Sequence, residues 1–153
     1  MLINRFELHG DRTRGEDPQT EIGLANAGAA RCCYIRNRTG VFTAPAYGKA
    51  ARLISLAERL NIPVLFLYNA PALCAAPTDS RLTNAHAELM EALIGAGVPL
   101  IAAVKDEQLR QFVEPIFDLL TRPEANAVEV ALKHAAQWTP DEIRQRRACP
   151  RNL

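Results

Sequence analysis

The sequence has 153 residues, a hydrophobic fraction of 48%, a charged fraction of 23% and a formal net charge of +1. This length and composition are typical of one globular domain with its own core, so we expect a single domain over residues 1–153. The small net charge gives no general case for nucleic acid as a partner, and no apolar run approaches the ~20 residues of a membrane span.

The four cysteines, Cys32, Cys33, Cys74 and Cys149, show no CxxC spacing. Adjacent residues of a strand point to opposite faces, which argues against a metal ion shared by Cys32 and Cys33. The first ten residues are too polar for the apolar region of a secretory signal, so we expect reduced thiols and a cytoplasmic location.

A polar N-terminal segment, residues 1–19, contains glycines, a proline and charged residues that are typical of loops and turns. Residues 21–27 and 30–37 follow it and flank Gly28. Because glycine supplies the backbone conformation that a tight turn needs, these two segments are predicted to pair as a β-hairpin.

The stretch from residue 47 to residue 68 is the part of the chain around which the rest is arranged. Its first half has an apolar face with helical spacing, and Lys49 and Arg52 are predicted on the opposite, polar face. Pro63 ends this helix, and residues 64–68 form an unbroken apolar run that is typical of a strand buried on both faces. The apolar face consists of Ala50, Leu53, Ile54, Ala57 and Leu60.

Residues 69–77 contain two prolines and no helical period, and they are predicted to be a loop. A second helix is predicted over about 79–94, with Asp79 or Ser80 as its cap, and a second buried strand over 98–104. Two such strands joined by a helix form a βαβ unit, so they should lie parallel and close together in one sheet.

Three further helices are predicted in the C-terminal part. The first begins near Lys105 and has an apolar face that extends to Leu120, with a kink at Pro115. The second begins at Pro123, and the third follows a capping box that starts at Thr139.

Residues 140–153 are predicted to be a basic helix and tail in solvent. A contact with another subunit or with an acidic carrier is the alternative use of this positive charge. The arginines concerned are Arg144, Arg146, Arg147 and Arg151.

Five segments contain motifs that are specific as an ordered set, although no single one is decisive. They are residues 6–12 (FELHGDR), 22–25 with 31–35, 46–53 (AYGKAARL), 61–71 (NIPVLFLYNAP) and 96–104 (AGVPLIAAV). In this order they resemble the alpha subunit of bacterial acetyl-coenzyme A carboxylase carboxyltransferase. The corresponding family motifs are FxELHGDR, GGIARLDGRPV, PEGYRKALRL, a strand ending in DTPGA, and LGVPVVCTV. The resemblance implies an α/β fold of the crotonase/ClpP-like type. We expect a spiral of ββα units, truncated here, with parallel buried strands and a helical C-terminal part.

Two departures from the family concern its chemistry. The family's DTPGAYPG is replaced by NAPALCAA at residues 69–76, and its glycine-rich EGGSGGAL turn is replaced by KDEQLRQ at residues 105–111. No glycine occurs after Gly97. An oxyanion hole needs a close approach of bare backbone, so we expect catalysis by this chain itself to be impaired or absent. The sequence also stops before the family's later turns, which adds to this expectation.

The sequence identifies no catalytic residue. Ligands of open α/β sheets bind beyond the carboxyl ends of the strands, so we assign substrate binding to Asn69, Ala72, Leu73 and Cys74. Cys74 as a nucleophile would need a base, and His86 is the nearest candidate in sequence, although a histidine on an apolar helix face is more often a core residue. No spacing of residues indicates a metal site.

The resemblance implies a subunit of a complex that acts on malonyl or acyl thioesters, with a carboxyltransferase beta-like subunit or a biotin carrier protein as its partner. A homo- or hetero-oligomer is expected, without nucleic acid or membrane. No cofactor would be bound covalently; a coenzyme A thioester, or biotin borne by a carrier, would reach the site through a partner. The alternatives are a non-catalytic scaffold and a small stand-alone acyl-thioester decarboxylase or hydrolase that uses the loop 69–74.

Overall fold

The computed structural model describes residues 2–9, 17–67, 70–106 and 116–148. Within these ranges, six strands form one mixed sheet in the order of the sequence. The first three strands pair antiparallel, and the third to sixth pair parallel. The strands are β1 Leu2–Leu8, β2 Thr20–Ala27, β3 Ala30–Asn37, β4 Val64–Leu67, β5 Leu100–Ala103 and β6 Leu119–Thr121.

Helices cover both faces of the sheet. They are α1 Ala44–Leu60, α2 Ala70–Cys74, α3 Thr83–Gly95, α4 Ala125–Ala135 and α5 Pro140–Ala148, and a 3-10 turn, Ser80–Leu82, precedes α3. One core cluster joins the sheet to α1, α2 and α3, and the second joins it to α4. We call these two sides of the sheet the α1 face and the α4 face.

The hairpin prediction is confirmed. β2 and β3 pair in register from Thr20 opposite Asn37 to Ala27 opposite Ala30, and Gly28 has a φ of 59° in the turn. Cys33 lies in the core of the α1 face and Cys32 in that of the α4 face, as their adjacency predicted. Burial raises the pKa of both thiols to about 12, so both are protonated at neutral pH.

The helix–strand unit in the middle of the chain is confirmed in its main features. Thr43 Oγ1 caps α1 by accepting a hydrogen bond from the Ala46 amide at 3.3 Å. Asn61 ends the helix in the left-handed conformation (φ 54°), and β4 follows Pro63. The predicted apolar face is buried except for Leu60, which is 46% exposed because it lies in the last turn, beyond the sheet.

The βαβ prediction is also confirmed, since β4 and β5 are parallel neighbours. Asp79 caps the turn before α3, where its Oδ1 accepts a hydrogen bond from the Arg81 amide at 2.9 Å. Among the described residues, no helix combines the length and the apolar character that crossing a membrane requires.

Three local predictions are wrong or incomplete. The segment predicted as a loop contains the short helix α2, because Leu73 can bury its side chain against the core there. Leu120 belongs to strand β6 rather than to a helix, since β5 offers an open edge for parallel pairing. Residues 2–8 form the edge strand β1 within the segment predicted as polar. The predicted kink at Pro115 lies outside the described residues.

Lys49, which was predicted on the polar face of α1, is instead 1% exposed in the interface between α1 and the sheet. Its Nζ donates hydrogen bonds to the backbone carbonyls of Asp17 and Thr20, both at 3.1 Å. The Asp17 carboxylate accepts hydrogen bonds from the Gln19 amide at 2.8 Å and the Thr43 hydroxyl at 2.9 Å. This network joins the start of α1 to the start of β2.

The C-terminal arginines do not all lie in solvent. Arg147 of α5 is largely buried and makes two hydrogen bonds to the Asp118 carboxylate, at 2.9 and 2.7 Å. It also donates to the backbone carbonyls of Ala96 and Val98. Asp118 in turn accepts the Leu100 amide at 2.8 Å, so α5 is fixed to the amino ends of β5 and β6.

We predict that Lys49→Met lowers the free energy of unfolding by about 2 kcal/mol, because two buried carbonyls lose a charged donor while the apolar stem is kept. Urea denaturation monitored by circular dichroism measures the difference. Lys133→Met is the control, since Lys133 is exposed and makes an (i,i+4) pair with Glu129 that contributes about 0.3–0.5 kcal/mol. Equal losses in the two variants would contradict a structural role for Lys49.

We predict that Arg147→Gln lowers the free energy of unfolding by about 3 kcal/mol, because the buried Asp118 carboxylate would lose its bidentate arginine. The matched control is Arg144→Gln on the same helix, whose exposed (i,i+3) pair with Asp141 should matter by less than about 0.5 kcal/mol. Thermal and urea unfolding distinguish the two variants. A loss of unfolding free energy below about 1 kcal/mol for Arg147→Gln would contradict the role of Arg147 in fixing α5 to the sheet.

Candidate functional site

The carboxyl ends of the parallel strands meet at one edge of the sheet. Arg36 of β3 is opposite Leu67 of β4, Leu67 is opposite Ala103 of β5, and Ala103 is opposite Thr121 of β6. These four residues form a row that we call the strand-end edge. Because ligands of open α/β sheets bind at such an edge, it is the candidate functional site.

A small cavity opens at this edge on the α1 face, with a volume of about 10 Å³. That volume is at the lower limit for a single water molecule. Therefore the cavity, as it stands between these described residues, does not fit a biotin ring or the pantetheine arm of coenzyme A. It is lined by Ile35, Arg36, Asn37, Phe42, Phe66, Leu67, Ala70 and Leu73.

The four residues assigned to substrate binding lie at or next to this cavity, with one exception. Asn69 lies outside the described residues. Leu73 is buried and lines the cavity, while Ala72 and Cys74 are half-buried and pack against the core of the α1 face. Their assignment to substrate binding remains a prediction.

Cys74 and His86 contact each other, but through the backbone of the cysteine. His86 Nε2 lies 3.2 Å from the Cys74 carbonyl oxygen, and the imidazole packs edge-on against Tyr47 with 5.5 Å between ring centroids. Burial raises the pKa of the Cys74 thiol to about 12 and also raises the pKa of Tyr47. This arrangement connects α1, α2 and α3, and it leaves the thiol protonated at neutral pH, whereas a nucleophile requires a thiolate.

The backbone beyond β5 is the place where the resemblance puts oxyanion donors. The amide of Val104 donates to the Thr121 carbonyl at 3.0 Å and therefore continues the ladder between β5 and β6. Lys105 and Asp106 follow at the surface, and residues 107–115 lie outside the described part. A backbone donor to a substrate on this side would have to come from beyond Val104.

A group of charged side chains that the sequence analysis missed lies at the same edge, on the α4 face. Glu21 is buried and accepts hydrogen bonds from the Tyr34 hydroxyl at 2.5 Å and from Arg36 at 2.8 Å. Arg5 and Arg38 approach the same carboxylate at 3.3 and 3.6 Å. We call Arg5, Arg36 and Arg38 around Glu21 the arginine cluster.

The charge state of Glu21 follows from these contacts. Burial would raise its pKa, but the hydrogen bonds from Tyr34 and Arg36 and the charges of Arg36 and Arg5 outweigh burial and lower it. The register of the predicted hairpin was the signal that could have revealed the cluster, because it places Glu21 directly opposite Arg36. Among the described residues, no group of histidine, cysteine or acidic side chains could hold a metal ion.

No family model matches the chain. The curated proteins that it resembles include the acetyl-coenzyme A carboxylase carboxyl transferase subunit alpha of Campylobacter curvus, 30% identical over 83 residues. The same subunit of Cupriavidus pinatubonensis is 30% identical over 121 residues, which are 70% of this chain and 38% of that protein. The chain thus spans about a quarter to two fifths of the length of these relatives.

Two solved structures show a similar fold at low sequence identity. The transcarboxylase 12S subunit with hydrolysed methylmalonyl-coenzyme A superposes with a TM-score of 0.58 at 14% identity, covering 87% of this chain and 38% of its own. A chain of the Pseudomonas malonate decarboxylase heterodimer superposes with a TM-score of 0.57 at 13% identity, covering 94% of this chain and 85% of its own.

These similarities confirm the family resemblance and the fold class that the sequence indicated. Both aligned relatives are carboxyl transferase alpha subunits, and the two solved structures superpose on most of this chain. The chain is therefore similar, over part of their length, to the alpha subunits of acetyl-coenzyme A carboxylase carboxyltransferase, and it shares its fold with the transcarboxylase 12S subunit and the malonate decarboxylase chain.

Proposed function

We propose that the chain is a carboxyltransferase-alpha-like subunit of a complex that acts on malonyl or other acyl thioesters. The observation that supports this most is the 30% identity over 121 residues to the alpha subunit of Cupriavidus pinatubonensis, within a common fold. Because the chain spans 38% of that relative, the relative's whole activity is not carried over, and the proposal concerns a subunit role.

The chemistry of a malonyl thioester explains why a partner is needed. Loss of the carboxylate leaves an electron pair that is delocalised onto the thioester oxygen, and this negative charge must be stabilised by hydrogen-bond donors. Removing one such donor typically slows acyl chemistry by about 10²–10³-fold. Both glycine-containing turns of the family are replaced in this sequence, at residues 69–76 and 105–111. We therefore propose that catalysis by the chain alone is impaired or absent and that the partner supplies most donors.

The partner in this proposal is a carboxyltransferase beta-like subunit or a biotin carrier protein. The cavity next to residues 70–74, on the α1 face, has a volume of about 10 Å³ and is too small for a thioester, which favours a thioester site at this position that is shared between subunits. Biotin, where the reaction uses it, would be carried by the partner, and this chain would bind no cofactor covalently. Its residues 69–74 would contribute one wall of the thioester site.

A second candidate is a subunit of a malonyl decarboxylase. The observation that favours it is the extent of the fold match, which covers 94% of this chain and 85% of the malonate decarboxylase chain. In decarboxylation, a malonyl thioester and a proton give an acetyl thioester and carbon dioxide, without biotin. In carboxyl transfer, the carboxyl group passes to biotin and no carbon dioxide is released.

We predict that native mass spectrometry of the protein isolated from its source cells detects a heteromeric complex. That complex should consume malonyl-coenzyme A, whereas the isolated chain should not, because the glycine-containing sequences of the family's oxyanion turns are replaced in this chain. Carbon dioxide release without biotin would select decarboxylation, and biotin-dependent loss of malonyl-coenzyme A would select carboxyl transfer. A free monomer with no partner and no turnover would refute the subunit role and favour a non-catalytic scaffold.

We predict that Cys74→Ala keeps kcat of the active complex within about threefold, because at pH 8 a thiol of pKa about 12 is thiolate in roughly one molecule in 10⁴. A rise in KM would be consistent with a wall of the substrate site. Steady-state kinetics on malonyl-coenzyme A measure both parameters. A loss of kcat above about 10³-fold would instead identify Cys74 as a nucleophile and revive the stand-alone hydrolase.

A further inference from the structure

The arginine cluster joins three adjacent strands at the strand-end edge. Arg5 comes from β1, Glu21 from β2 and Arg36 from β3, while Arg38 follows β3 directly. The pairing of β1 with β2 is interrupted by a bulge between Ile3 and Phe6, which is where Arg5 lies. Bulges redirect a side chain from the regular alternation of a strand, and here the Arg5 guanidinium reaches Glu21 at 3.3 Å.

The cluster contains more positive charge than its own carboxylates neutralise. Among the described residues, Glu21 is the carboxylate that all three guanidinium groups approach, and Glu7 of β1 is the second acidic side chain that acts on this site, through its field at Tyr34. Three arginines against two glutamates leave an excess of one positive charge. Tyr34 donates its hydroxyl hydrogen to Glu21 and so adds no negative charge.

The guanidinium groups also have hydrogen-bonding capacity that this carboxylate does not use. Arg36 Nε is buried and has no acceptor among the residues that the structure describes. The Arg38 side chain is 60% exposed and that of Arg5 44% exposed, and their distances of 3.6 and 3.3 Å to Glu21 are those of weak pairs. A buried donor without an acceptor is unfavourable, so an incoming anion would be bound more strongly than at an ordinary surface arginine.

A phosphate group has the chemistry that this arrangement can recognise. Guanidinium groups form paired hydrogen bonds to phosphate oxygens, and three of them can contact one tetrahedral anion from different strands. Arg36 belongs to the cluster on the α4 face and also lines the cavity on the α1 face, so a ligand in the candidate thioester site would reach the cluster by passing over the strand-end edge. Coenzyme A thioesters and carrier-protein thioesters both carry a phosphate on their pantetheine arm.

We propose that the arginine cluster binds the phosphate of a pantetheine thioester and so positions the substrate of the complex. The identity of the ligand rests on the proposed function, whereas the anion site rests on the cluster alone. Arg5 and Arg38 provide the accessible contacts. Arg36, held by Glu21, provides the buried one.

Calorimetric titration of the purified protein, with any subunit that copurifies, tests this assignment. The probes are coenzyme A, dephospho-coenzyme A, 4′-phosphopantetheine and pantetheine. We expect pantetheine to bind roughly tenfold or more weakly than 4′-phosphopantetheine, and Arg38→Gln to remove most of this difference. Arg31→Gln is the matched control, since Arg31 lies at the other end of β3 and the change alters net charge equally. Its affinities should equal those of the wild type.

Glu21→Gln is a second variant, and we expect it to change phosphate affinity in the opposite direction to Arg38→Gln. The glutamine keeps an acceptor for Tyr34 but removes the negative charge that competes with phosphate, so phosphate affinity should rise severalfold. A cluster with a purely structural role would show no rise in phosphate affinity. If this variant does not fold, Arg38→Gln decides, because its side chain is largely in solvent.

The probes also separate the two sources of phosphate. Equal affinity for coenzyme A and dephospho-coenzyme A supports the phosphate on the pantetheine arm, which carrier proteins share. Loss of affinity with dephospho-coenzyme A would place the ribose 3′-phosphate in the cluster and overturn the assignment to the pantetheine arm. Equal binding of pantetheine and 4′-phosphopantetheine, or unchanged affinities in Arg38→Gln, overturns the site.

Turnover by the complex is measured separately. If the complex turns over substrate but Arg38→Gln has no effect, only the assignment of the phosphate site is refuted. Phosphate binding without partner or turnover refutes only the proposed function.

Discussion

The buried ammonium group of Lys49 is the interaction on which the geometry of the strand-end edge depends. A lysine in an apolar helix–sheet interface loses its hydration, and the loss is tolerable only if its hydrogens find acceptors. Two of these acceptors are the carbonyls of Asp17 and Thr20, which precede and begin β2. Since Thr20 is opposite Asn37 at the end of β3, Lys49 fixes the position of α1 against the carboxyl end of the first parallel strand.

A second polar anchor lies at the other end of the parallel strands. Arg147 binds Asp118 and the carbonyls of Ala96 and Val98, which lie just before β5 and β6. β5 and β6 have four and three residues, and such short strands provide few ladder hydrogen bonds to set their register. The bidentate ion pair sets it instead, because Asp118 also accepts the Leu100 amide. The two anchors, at opposite ends of the strands, define the row from Arg36 to Thr121.

Local sequence patterns predicted the parts of this fold whose stabilisation is local. The periodicity of α1 and the paired segments around Gly28 predicted a helix and a hairpin that the structure confirms. β6 was missed because its three residues are a strand only in the presence of β5, a neighbour that is distant in sequence. The prediction for Lys49 was wrong because a charged residue type indicates exposure, whereas the acceptors that permit its burial come from a turn about 30 positions earlier. The location of the candidate site followed from topology, but the arginine cluster required the register of three strands.

Arg36 connects the antiparallel hairpin, the parallel part of the sheet and the candidate site. Its backbone pairs with Glu21 in β2 and with Leu67 in β4, so one residue belongs to both the antiparallel hairpin and the parallel sheet. It lines the cavity at the strand-end edge, and its side chain binds Glu21 on the α4 face. Thr20, whose carbonyl accepts from Lys49, immediately precedes Glu21 along β2. A shift of β2 by one residue would turn Glu21 to the opposite face of the sheet and separate it from Arg36. The buried lysine therefore acts on the charge arrangement at the edge through the backbone of β2.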